Sequence, residues 1–171
     1  MLRAEKKRTR AILYVLIPIT VIVVALAVIV GMMANKAGGK TAVTGAKFAE
    51  ISEQQGYVAI NVTEELDSPG LFKSAYITKI DEDNSVFFLE FKEKKDAKSY
   101  FANAARKFKT EVKNAGADNS MQEDLENYCY YIAAVNGQYY HVVRVKDTVL
   151  YANVSENHSE IIKKIVSAIG Y

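Results

Sequence analysis

The side chains best suited to chemistry are few: a single cysteine, Cys129, two histidines, His141 and His158, and acidic clusters at 64–67, 81–83 and 123–126. A thiol within hydrogen-bonding reach of an imidazole could supply a nucleophile and its base. Two carboxylates in contrasting surroundings could cleave a glycosidic bond. Asp81, Asp83 and Ser85 are spaced like the first ligands of a calcium loop, but the sixth position is Val86, not glycine, and the twelfth is Lys92, not glutamate. A tight acidic turn is the better reading. The other acidic runs have no adjacent histidine or cysteine that would suggest a transition-metal site. Gly39-Lys40-Thr41 ends like a phosphate-binding loop, yet Ala34 stands where that motif needs its first glycine, and no strand precedes it. One cysteine cannot close an internal disulfide. No metal or cofactor is predicted.

Whether Cys129 can meet a histidine depends on the strands that carry them. Glu126–Ala134 and Gln138–Val145 flank Asn136-Gly137, the strongest short hairpin signal. A two-residue loop sets Ala134 opposite Tyr139, Ile132 opposite His141 and Tyr130 opposite Val143. One face then carries Tyr128, Tyr130, Ile132, His141, Val143 and Val145, and is the better core face. The other carries Cys129, Tyr131, Tyr140, Val142 and Arg144, joined by Tyr151 from the next strand. Side chains alternate strictly along a strand, so Cys129 and His141 fall on opposite faces and cannot pair. Cys129 is read as a small packing residue. Tyr131, Tyr140, Arg144 and Tyr151 form a candidate partner surface, because tyrosine offers a large contact area with a polar tip.

The elements around this hairpin follow from periodicity. A short helix is expected between Thr44 as cap and Gly56 as stop. Strands follow at Tyr57–Val62, Leu71–Ile80 and Ser85–Lys92, the last two joined by the turn Asp81–Asn84. Glu93–Lys113 reads as a helix, with Ala97, Phe101, Ala104, Phe108 and Val112 as its buried stripe. After the hairpin come a strand at Thr148–Val154 and a helix at Asn157–Ile169, stopped by Gly170. The predicted order is α-β-β-β-α-β-β-β-α, an α+β fold with an antiparallel sheet packed against helices. At about 100° per residue, Lys95, Lys98, Arg106, Lys109 and Lys113 lie on one flank of the long helix, a candidate anion-facing stripe. Residues 92–113 hold eight basic and three acidic groups.

Ahead of this domain, Ala11–Met33 is 23 residues without a charge. A helix of that length spans roughly 35 Å, enough for a hydrocarbon core of about 30 Å. Residues 1–10 carry five basic groups and one acidic, the remainder of the chain 17 basic and 19 acidic. The basic balance thus belongs to the tail, which removes the case for nucleic-acid binding. The predicted organisation is a basic cytoplasmic tail (1–10), a transmembrane signal-anchor (11–33), a flexible linker (34–46) and an extracytoplasmic domain (47–171), oriented by the positive-inside bias. Ala25-Leu26-Ala27 also has the form of a cleavage site, although the apolar run exceeds an ordinary signal peptide. Asn61, Asn153 and Asn157 begin acceptor sequons.

The basic tail before Ala11–Met33, the strand-then-helix block Ser85–Val112, and the stretch Arg144–Tyr151 with the closing Gly170-Tyr171 give a layout that resembles small single-pass extracytoplasmic proteins of Gram-positive bacteria. The resemblance implies a location at the outer surface and no particular activity. The expected function is a membrane-anchored, non-catalytic binding or accessory domain. Its partner would be a protein in the membrane or an anionic cell-surface polymer. The alternatives are a carboxylate-dependent cell-wall hydrolase and a sensor or accessory subunit of a membrane complex.

Overall fold

Four tight turns and one long-range strand pairing decide the architecture. The computed structural model describes residues 39–66, 70–117 and 120–171. Within them α1 (Gly45–Gln54) is followed by β1 (Ala59–Asn61), β2 (Phe72–Lys79), β3 (Ser85–Phe91) and α2 (Lys94–Asn114). Then come β4 (Ser120–Asp124), β5 (Tyr128–Val135), β6 (Gln138–Val145) and β7 (Thr148–Ser155), and after a 3-10 turn at Glu156–His158, α3 (Ser159–Ala168). The seven strands form one antiparallel sheet in the order β1-β2-β3-β7-β6-β5-β4.

The turns are set by local chemistry. Asn136 and Gly137 have φ of 50° and 75°, the left-handed pair that a two-residue hairpin needs. The resulting register places Ala134 opposite Tyr139 and Ile132 opposite His141. Before β3, the Asp81 carboxylate accepts from the backbone N–H groups of Asp83 and Asn84 and from the Asn84 amide. The turn closes on itself, and this is what the calcium-like spacing encodes.

Helices cover both faces of the sheet. On one face α1 and α3 bury Phe48, Phe88, Val143, Leu150, Ile162 and Ile165. Phe48 stacks on Phe88 with ring centroids 4.6 Å apart. Gly45 sits where α1 comes closest to β2: a Cβ there would lie 2.6 Å from the Tyr76 ring and closer still to Ser74 Oγ. Its N–H donates to Glu90 Oε2 at 2.9 Å, so a carboxylate neutralises the positive end of the helix. On the other face α2 lays Ala97, Phe101, Ala104, Phe108 and Val112 over β3, β5, β6 and β7.

Two expectations are corrected. The predicted order lacked β4, a strand with one apolar residue in five that pairs only with β5 at the sheet edge. An edge strand exposed along most of its length has no buried face to impose an alternating pattern. Of the linker expected over 34–46, residues 34–38 lie outside the described residues, and α1 begins at Gly45. The transmembrane helix, and the single-pass extracytoplasmic placement built on it, are the second. No helix among the described residues is long and apolar enough to cross a membrane. The longest, α2, has 21 residues, but it is amphipathic, with charges along its outer faces. The stretch 11–33 itself lies outside the described residues, so no membrane placement follows from the fold.

Candidate functional site

Because α2 crosses the β5–β6 hairpin, its basic flank overhangs the end of the sheet where β4 and β5 turn. A cleft of about 560 Å³ opens there. Lys98, Ala102, Arg106 and Lys109 of α2 form one wall, with Phe101 and Ala105 deeper. Gln122 and Asp124 of β4, with Leu125 and Glu126 of the following turn, form the other. Cys129 and Arg144, cross-strand neighbours on β5 and β6, lie at the bottom.

Arg144 is the unusual member. It is 2% exposed, and among the described residues no carboxylate forms an ion pair with it. Its guanidinium donates to the carbonyls of Lys146 (3.1 Å), Leu125 (3.3 Å) and Glu126 (3.0 Å) and to Cys129 Sγ (2.9 Å), while Nε–H has no partner among the described residues. The planar fork thereby ties the β4–β5 turn to the β6–β7 turn. Carbonyl dipoles solvate part of the buried charge, and none cancels it.

Cys129 donates to Asp124 Oδ1 at 2.9 Å and to the Leu125 carbonyl at 3.0 Å. Burial pushes its thiol pKa up, the Asp124 carboxylate adds to this, and Arg144 opposes it. A thiol held protonated is a poor nucleophile. His141 is on the opposite face, buried, with Nδ1 3.1 Å from the Tyr139 hydroxyl. Burial lowers its pKa to about 4, with Lys163 adding a smaller push. His158 pairs with Asp81 at 2.8 Å, at the start of α3. The three side chains that could have formed a catalytic set therefore serve three separate places.

The acidic candidates fare no better as an acid–base pair. Asp124 and Glu126 both line the cleft, but both are exposed, and Glu126 reaches outward to Lys94 at 3.5 Å. A general acid at neutral pH is held in dry apolar surroundings, which neither has. Among the described residues no group of three histidine, cysteine or acidic side chains could hold a metal.

The tyrosine face expected as a partner surface is not open. Tyr131 and Tyr140 are buried at 1% and 6% exposure, and Tyr151 is half-buried. Phe108 of α2 is inserted among them, its ring centroid 4.8 Å from Tyr140, 5.0 Å from Tyr151 and 6.4 Å from Tyr131. The Tyr140 hydroxyl is pushed up to about 12 by burial and by its hydrogen bond to Glu111. Arg144 alone of that set reaches the cleft.

The helical stripe, by contrast, is exposed along its length. Lys98, Arg106 and Lys109 turn toward the cleft, and Lys109 lies 5.8 Å from the Tyr131 ring centroid. Lys95 is tied to Glu93 at 2.7 Å, and Lys113, one turn beyond Lys109, is not part of the cleft. Gln122 and Leu125 are not legible in the sequence as site residues, because a polar edge strand announces neither itself nor what it and its turn face. The Cys129–Arg144 contact was available from the hairpin register, which sets the two directly opposite.

No family model and no curated protein matches the chain. Among solved structures, a GTP-binding regulator from Thermotoga maritima is similar at 15% identity, with 74% of this chain and 87% of that one covered and a TM-score of 0.42.

Proposed function

We propose that the domain beginning at Lys40 is a non-catalytic binding or accessory domain, and that its ligand enters the cleft between α2 and the β4–β5 turn. One observation carries this reading: a buried arginine that no carboxylate among the described residues pairs with directly lies at the bottom of an open, mixed-polarity cleft. Cavities of a few hundred Å³ with a small number of placed polar groups are where proteins hold ligands. The protonated thiol, the separated histidines and the exposed carboxylates support binding over catalysis.

Ala102 is exposed on the cleft wall, and the adjacent Asn103 is exposed outside it. A photo-crosslinking amino acid at position 102 is expected to capture one discrete partner or ligand in cells, and the same group at position 103 is expected to capture none. Turnover of a peptide or glycan substrate that is abolished by Asp124→Asn or Glu126→Gln would overturn the non-catalytic reading.

A further inference from the structure

A buried cation left without a counter-ion raises the local potential of whatever space adjoins it. In this cleft Arg144 is reinforced by Lys98, Arg106 and Lys109 on the helical wall, four cations in all against the two carboxylates of Asp124 and Glu126. Asp124 already accepts the Cys129 thiol hydrogen, and Glu126 leans out to Lys94. Asp124, one thiol away from Arg144, offsets its charge in part, and Glu126 forms no ion pair with it, so the cations stay in excess. The excess is modest and one-sided, with cations on the α2 wall and acceptors on the β4 wall. That polarity suits a carboxylate flanked by amide N–H donors better than a dianionic phosphate, which the two acids would repel.

We infer that the cleft is a carboxylate-recognition site for an acidic peptide segment: the carboxylate enters between Arg106 and Lys109 above Arg144, and backbone N–H groups of the same segment face Asp124 and Glu126. This rests on the binding reading and narrows it to one ligand class. Arginine forks recognise carboxylates in two-point fashion, and water exclusion near Arg144 strengthens the attraction.

The test is a chemical-shift titration of the ¹⁵N-labelled full chain at constant ionic strength. The probes are an acetylated, amidated Gly-Glu-Gly peptide, its Gly-Gln-Gly counterpart, and inorganic phosphate, with sodium chloride as the blank. The expected result is saturable movement of the Arg144 Nε–H signal and of the amides of Arg106 and Leu125 with the glutamate peptide only. The exposed Arg106→Glu/Lys109→Glu double variant, which leaves the buried Arg144 in place, is expected to weaken that saturation at least about tenfold. Equal response to the glutamine peptide would overturn carboxylate recognition while leaving a binding cleft. Stronger response to phosphate would overturn the ligand class. Shifts in the cleft that follow ionic strength alone would overturn both the inference and the proposed cleft.

Discussion

At the scale of single residues, Arg144 and His141 show how the same hairpin buries two ionisable side chains in different ways. Arg144 collects three carbonyls and a sulfur around its buried guanidinium. Removing it strands those acceptors. Arg144→Gln is expected to cost about 3 kcal/mol in urea denaturation, and Arg144→Lys to recover less than half, since an ammonium cannot make the two-sided fork. A lysine variant as stable as the parent would refute the clasp between the two turns. His141 discards its charge instead. Its pKa of about 4 in the folded protein lies below the ordinary value of 6.5, so the unfolded chain binds the proton more readily. The neutral imidazole's contribution is whole above pH 6.5 and drains away as pH falls toward 4, by at most about 3 kcal/mol. His141→Gln is expected to flatten that limb of the stability–pH profile, measured by chemical denaturation at each pH. The Asp81 carboxylate has its pKa lowered, first by the Asn84 amide, and weakens the fold in the same direction at still lower pH.

At the scale of elements, α2 does two jobs with two faces. Its apolar stripe closes the tyrosine face of the sheet, and its basic flank forms a wall of the cleft. Phe108 is the residue on which the first job turns, being fully buried among three tyrosine rings. Phe108→Ala is expected to cost about 3–5 kcal/mol and to collapse the near-ultraviolet tyrosine dichroism while the far-ultraviolet signal persists below the transition. The docking of α1 is decided by absence of a side chain. Gly45→Ala would push a methyl into Ser74 and Tyr76, at an expected cost of about 1–3 kcal/mol, partly recovered in the Gly45→Ala/Ser74→Gly double variant. Additive losses in that pair would show that the close approach is not the cause.

At the scale of the whole domain, the pairing of β3 with β7 joins the two halves of the chain through Val86–Glu90 and Thr148–Ala152. The core on one face spans this seam, with Phe48 from α1 and Ile162 from α3 in the same cluster. Neither half has a core of its own, so unfolding is expected to be a single transition by near- and far-ultraviolet dichroism. Hydrogen exchange should be slowest in β3, β6 and β7 and fastest in β1 and β4, the two sheet edges. A slow-exchanging β4 would mean that something covers its open edge.

Local spacing was enough for the Asn136-Gly137 register, the separation of Cys129 from His141, and the buried stripe of α2. Each depends on a turn preference or on a repeat of 2 or 3.6 residues, which neighbouring residues alone specify. The same reasoning could not say whether the second sheet face stays open, since both faces of the hairpin are apolar enough to be covered. Tertiary packing resolved it by placing Phe108 among Tyr131, Tyr140 and Tyr151. It also created the cleft, which joins side chains from α2, β4, β5 and β6. The edge strand β4 and the burial of Arg144 belong with these, because each is set by contacts between segments distant in the chain. Hydropathy over 11–33 is local too, but whether such a stretch crosses a membrane depends on what surrounds it, and none of the described helices does so. Periodicity reports the face a residue points to; only the assembled domain reports what meets it there.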